Sequence, residues 1–168
     1  NVKSLPFRIG REEDGLPGEH VDNEYIWQSK TYYFAEEVES MRMTVFKTKS
    51  GRNDDYGKPF ICMNEIAFYD AAGNKIPMTE NCYTPANDSG EAIGVAGLCD
   101  GKNGTGQNTH FHSKWGDGCG GEYFWLDIVF PEPVFCFSYK QWGRGNGYDD
   151  VPTDFAFGFE GEILTPDD

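Results

Sequence analysis

Three stretches in the last third of the chain alternate apolar and other side chains with a period of two. "YFWLDIVF" sets Phe124, Leu126, Ile128 and Phe130 against Tyr123, Trp125, Asp127 and Val129. "VFCFSYK" puts Phe135, Phe137 and Tyr139 on one face, and "TDFAFGFEGE" does the same with Phe155, Phe157 and Phe159. A period of two is the signature of a strand with one face on a core, and it cannot be satisfied by a helix. An earlier run, "SMRMTVFK", repeats the pattern with Met41, Met43 and Val45 facing away from Arg42 and Thr44. "FICMNEIAFYDAAGNKI" reads as a further strand ending in a tight turn at Ala72-Gly73-Asn74. "FPEPV" reads as the turn joining the first two C-terminal strands, and "QWGRGNGYDDVP" as the loop joining the second and third.

Between these strands the chain is rich in turn-formers, with 21 Gly and 9 Pro in 168 residues. The expected architecture is all-β, an antiparallel β-sandwich with elaborate loops. At this length one domain is expected. Residues 1–37, broken by Gly10, Gly15, Pro17 and Gly18, read as a polar lead-in with one strand at Tyr25–Phe34, and residues 38–168 as the sandwich. No internal repeat or low-complexity segment interrupts it.

Charge narrows the partners. Fourteen basic against 28 acidic residues leave a formal charge of −14. That surface repels phosphate backbones and anionic lipid, so neither nucleic-acid binding nor docking on phosphatidylserine is expected. No apolar run reaches the roughly 18–20 residues needed to span a bilayer, and "NVKSLPFRIG" carries no signal-peptide pattern. Membrane insertion is not expected. Neutral ligands and divalent cations suit an acidic surface better.

The five cysteines, Cys62, Cys82, Cys99, Cys119 and Cys136, include no C-x-x-C pair, which argues against a zinc ribbon. Cys82, Cys99 and Cys119 lie in Gly- and Asn-rich stretches where disulfide staples are expected. Cys62 and Cys136 sit in strand-like runs and read as buried thiols. With the sequons at Asn87 and Asn103, the cysteines favour an extracellular, secreted or cell-surface protein.

Two glycine-rich loops concentrate aromatic and planar polar groups. "HFHSKWGDG" carries His112 and Trp115; "QWGRGNGYDD" carries Trp142, Arg144, Asn146, Tyr148 and Asp149. Sugars are held by rings under their C–H faces and by planar groups that bridge hydroxyls. Aromatics among so many glycines read as a contact surface. The competing reading places Trp115 and Trp142 as caps on the ends of the sandwich, with Arg144 paired to Asp149 or Asp150. No carboxylate pair in an apolar setting, no Gly-x-Ser-x-Gly and no phosphate-binding glycine loop is present, so no enzyme is expected. "CDGKNGTGQNTHFHSKW" offers Asp100, the Thr109 hydroxyl and the Lys102 and Asn103 carbonyls on a bendable loop, an oxygen set suited to calcium. His110 and His112 on one strand face leave zinc as an alternative, which needs Cys99, Cys119 or a carboxylate as further ligands. An Asn/Gly turn holding no ion is the third reading.

The order "CDGKNGTGQNTHFHSKW", "YFWLDIVFPEPV", "FSYKQWGRGNGYDDVPTDFAFGFEG" resembles the discoidin domain family, the coagulation factor V/VIII C-type fold that includes the family 32 carbohydrate-binding modules. The match covers about residues 90–160. "SMRMTVFKTKSG" and "ICMNEIAFYD" are similar to strands that close the domain in many members, which here precede the Asp-Gly loop, as in a permuted or offset version of the jelly-roll. The resemblance implies a structural calcium on the Asp-Gly loop, with Glu65 supplying the remaining carboxylate beside Asp100, Asn103 and Thr109. The loop is about three or four residues longer than the family's pattern. The resemblance also implies a glycan or polysaccharide site at His112, Trp115, Arg144 and Asn146. The tight spacing of Arg144 and Asn146 leaves Trp142 as the other occupant of the arginine's place. The function so implied is a non-catalytic carbohydrate-binding module with a structural calcium, one part of a larger protein. The alternative is a protein- or matrix-binding adhesion module of the same fold.

Overall fold

The computed structural model of the chain describes residues 2–10, 26–90, 92–102, 109–144 and 150–168. Its strands are β1 (Val2–Lys3), β2 (Phe7–Gly10), β3 (Ile26–Gln28), β4 (Tyr32–Thr48), β5 (Cys62–Tyr69), β6 (Tyr83–Pro85), β7 (Phe111–His112), β8 (Trp125–Gly143) and β9 (Pro152–Gly158). Among the described residues only short 3₁₀ turns, at Glu80–Cys82, Gly94–Leu98 and Gly118–Gly121, interrupt them, and there is no α-helix. The fold is all-β. One path runs β2-β9-β4-β8-β5-β7, with β1 beside β4 and both β3 and β6 beside β8. Every pairing is antiparallel except β1 with β4.

The long strand β8 makes the sheet curl over its own core. Its first half pairs with β4 and β6, and its second half lies between β3 and β5. "FPEPV" is therefore not a turn between two strands but a bend within one. Between the pairs Ser40↔Val129 and Val38↔Val134, residues 130–133 of β8 stand opposite the single residue Glu39. Pro131 and Pro133 thus fall where the ladder needs no N–H, the place a strand tolerates proline. The bend also breaks the alternation. Phe137 and Tyr139 are fully buried, whereas Phe135 is 56% exposed. Phe159, beyond the end of β9, likewise turns out to solvent while Phe155 and Phe157 are buried.

The inner face carries Ile9, Met41, Met43, Val45, Met63, Phe68, Leu126, Ile128 and the buried aromatics. Phe137 sits at the centre, with the rings of Phe7, Tyr32, Phe34, Phe68, Phe130 and Phe157 between 5.2 and 6.5 Å away. Most of these contacts are tilted or edge-on, the geometries that the ring quadrupole favours. The other face of β4 is also covered. Arg42 pairs in register with Asp127 through two hydrogen bonds of 2.6 and 2.9 Å, and its guanidinium lies 3.8 Å from the centroid of Trp125.

The described parts of the lead-in, residues 2–10 and 26–37, contribute strands to this sheet. β2 pairs with β9, bringing Phe7 opposite Phe157 and Ile9 opposite Phe155, and Trp27 and Tyr32 are buried. The boundary expected at residue 37 falls inside β4. The single strand expected at Tyr25–Phe34 is two, because β3 ends at Gln28 and β4 begins at Tyr32.

No disulfide forms, contrary to the staples expected from the loop cysteines; all five thiols are free. Each loop thiol has its own local partner. Cys82 accepts from the Thr79 N–H at 3.4 Å, Cys99 points at the Val95 and Ala96 carbonyls, and Cys119 accepts from the Asn87 amide at 3.1 Å.

Candidate functional site

One aromatic ledge assembles where β5, β7 and the loop after β4 meet. β7 is only two residues long, but Ser113 clamps it to the start of β5. Its N–H donates to the Ile61 carbonyl at 2.8 Å, and its hydroxyl accepts the Ile61 N–H at 2.7 Å. The pairing Cys62↔His112 and Met63↔Phe111 then sends Phe111 into the core and His112 to the outer face. His112 Nδ1 lies against the Ser113 carbonyl, which can only accept, so Nδ1 carries the proton and the ring is held in place.

The organiser of the ledge is Phe60, which is 3% exposed. His112 stacks on it at 5.5 Å with an interplanar angle of 21°, and Trp115 meets it edge-on at 4.5 Å. The Arg52 guanidinium lies 4.9 Å from its centroid. Trp115 remains 50% exposed, with its orientation fixed by a buried neighbour. Arg52 is fixed too: Nη2 and Nε reach the two oxygens of Asp150 at 2.5 and 3.2 Å, while Ser50 donates to the same carboxylate at 2.6 Å. Asp150 is 1% exposed and the Arg52 side chain 53%, so a buried anchor holds a solvent-facing planar cation. The result is two rings and a guanidinium around one buried phenyl.

Of the ligand residues expected from sequence, His112 and Trp115 share this ledge, while Trp142 and Arg144 do not belong to an exposed loop. Trp142 is a residue of β8, flanked in register by Ile26 and Glu65, half-buried, with the Lys140 ammonium 4.7 Å from its ring centroid. Arg144 is 9% exposed and hydrogen-bonds the Cys62 thiol from the end of β8. Burial pushes that thiol up to about 12, against the pull of Arg144. Of the two partners expected for Arg144, Asp150 is held by Arg52, and Asp149 lies outside the described residues, as do Asn146 and Tyr148. Nothing in the sequence pattern marks Phe60 and Arg52 as site residues. "GRNDDYGKP" gave no periodicity to follow, and only the approach of residue 150 to residue 52 reveals the fork.

A second constellation lies along the same outer face. Glu65, 3% exposed on β5, accepts the Gly101 N–H at 3.1 Å, so the Asp-Gly loop and this glutamate are brought together. Asp100 accepts the Lys102 N–H on Oδ1 at 2.9 Å, and its Oδ2 is buried with no hydrogen-bond partner. Burial pushes the Glu65 carboxyl up, the Gly101 N–H and Lys75 pull it down, and Asp100 pushes it up again. The turn carrying Asp100 is seated by Gly97, where a Cβ would come within 2.5 Å of the His110 backbone carbon. Thr109 is half-buried two residues before β7, and Asn103 lies outside the described residues. Two carboxylates, one with an orphaned buried oxygen, suit a hard cation that draws its other ligands from carbonyls and a hydroxyl. Among the described residues no three His, Cys, Asp or Glu side chains gather, so zinc finds no ligand set there.

The sequon asparagine Asn87 is half-buried and tied to its neighbours. Its amide donates to Asp117 and Cys119, and its oxygen accepts the Lys114 N–H at 2.8 Å. No protein-family model matches the chain, and no curated protein sequence matches it.

Proposed function

We propose that this domain is a non-catalytic carbohydrate-binding module, with the ledge of Phe60, His112, Trp115 and Arg52 as its ligand face and calcium as a structural ion at Asp100 and Glu65. The observation that carries the reading is the fixed, half-exposed Trp115 beside a clamped histidine and an anchored arginine. A pyranose ring presents an apolar C–H face for stacking and a fringe of hydroxyls for planar donors, and the ledge offers both within one patch. The net charge of −14 favours a neutral ligand over a phosphorylated or strongly acidic one. The resemblance of residues 90–160 to the discoidin family points the same way.

Calcium would be held by Asp100, Glu65 and backbone carbonyls of the Asp-Gly loop, with Thr109 as the hydroxyl ligand. Its contribution would be to tie that loop to β5, the strand that also seats β7 and His112. In this reading the domain targets a larger secreted or cell-surface protein to glycans.

A glycan array probed with and without chelator, with simple sugars as competitors, tests the proposal. Binding that a simple sugar displaces supports it. Absence of glycan binding, together with capture by matrix proteins that sugars do not displace, would favour the adhesion reading.

A further inference from the structure

The edge of β4 that faces β1 and β9 has a gap in it. β1 pairs with β4 as far as Lys3↔Phe34, and β9 leaves it at Gly158↔Arg42. Between those pairs residues 35–41 of β4 have no partner strand on that edge among the described residues. The gap is a groove in two adjoining lobes of about 350 and 330 Å³ that share Leu5, Glu37, Val38 and Phe159 as walls. It lies at the far end of β4 from the aromatic ledge, about 30 Å from Thr48 at 3.3 Å per residue.

An unpaired strand edge is a template for another chain, and proteins usually blunt it with lysine, proline or a covering loop. Here the rim is acidic instead. Glu36, Glu37 and Glu39 line the groove, and among the described residues Lys3 is the one cation lining it. The apolar part of the wall includes Phe159, a phenyl left 56% exposed. Seven residues of strand span about 23 Å, room for five or six residues of an extended segment. The chain's own stretch 11–25 carries Glu12, Glu13, Asp14, Glu19, Asp22 and Glu24 and does not complement that rim.

We propose that this gap is a strand-addition site for an extended basic segment of a partner protein, in which Lys or Arg alternates with apolar residues. Backbone hydrogen bonds to β4 would supply the pairing, the glutamates would select for cations, and Phe159 with Val38 and Leu5 would take the apolar side chains.

The test is fluorescence anisotropy with a labelled Lys-Val-Lys-Val-Lys-Val peptide, against a Glu-Val counterpart and a Lys-Val peptide N-methylated at alternate amides. The wild-type domain should bind the Lys-Val peptide with a Kd of roughly 10–100 µM and the other two at least tenfold more weakly. Glu37→Lys and Phe159→Ser change exposed side chains, so each should melt as wild type does and lose at least tenfold in affinity for the Lys-Val peptide. Equal binding of the N-methylated peptide would overturn strand addition. So would affinity unchanged in both variants, since the peptide would then be reading only the overall charge. An absence of binding at about 1 mM, or a dimer of the domain that sedimentation shows to be abolished by Glu37→Lys, would also overturn the proposal.

Discussion

Asp127→Ala is expected to destabilise the domain by about 3–5 kcal/mol, the usual cost of stranding one partner of a buried ion pair. The side chains of Arg42 and Asp127 are 10% and 11% exposed, and Asp127 lies between β4 and β6 in the middle of the ladder. The aspartate is the chief reason Arg42 holds its proton more firmly than usual, against a burial that works the other way. Removing it leaves a guanidinium stacked on Trp125 with only the more weakly acting Glu122 and Glu160 to offset its charge. For a domain of this size 1 kcal/mol moves Tm by about 2–4 °C, so a fall of roughly 10 °C is expected. The pair Arg42→Met with Asp127→Leu should recover most of that loss, because an apolar pair of similar volume carries no desolvation penalty. Urea titrations of wild type, both single variants and the double variant give the coupling energy directly. Single variants each losing less than about 1 kcal/mol would show that water reaches the pair, and would refute its place inside the covered face of the sheet.

Excess chelator should lower Tm if calcium ties the Asp-Gly loop to β5, by an amount equivalent to about 2.7 kcal/mol when free calcium had stood at 100 times its Kd; Asp100→Ala should remove that difference, and an identical melt with and without chelator would contradict the site. Gly97→Ala should lower Tm in either condition, since the His110 backbone lies 2.5 Å from the new methyl; a melt like the wild type's would show that the turn is not packed there. Denatured protein should titrate five thiols without reductant, and in the native state Cys62 should stay unlabelled at pH 8, where a thiol at about 12 is ionised in roughly one molecule in ten thousand; fewer than five thiols before reduction and five after it would restore the disulfide expectation.

Where one face of a strand met the core, the alternation told the truth: Met41, Met43 and Val45 are fully buried, as are Ile128 and, within 1%, Leu126. What defeated the reading was pairing at a distance. β2 is four residues of Phe-Arg-Ile-Gly whose partner lies almost 150 residues away, and nothing local marks it as a strand. Pro131 and Pro133 read as a turn because a proline usually ends a ladder; here the ladder opens around them and β8 runs on. The site divides in the same way. His112 and Trp115 were legible because a short strand and a glycine turn place them in sequence. Trp142 was misplaced because its glycine-rich neighbours hid the fact that Ile26 and Glu65 flank it on both sides. Arg52 acquires meaning only through Asp150, a contact across 98 residues, and Phe60 only through the rings of His112 and Trp115.

The decisive measurement is glycan-array binding by Trp115→Ala beside the wild type, with both melts recorded. Trp115 is half-exposed and its ring rests on Phe60, so its loss should leave the fold intact while removing the stacking surface. The wild type should bind at least one glycan class in a calcium-dependent manner, with a single-site Kd between about 1 µM and 1 mM, and the variant should lose that binding at a Tm within about 2 °C of wild type. A variant that binds the same glycans as strongly as the wild type would place the ligand face elsewhere, and a wild type that binds no glycan would rule out a carbohydrate-binding role.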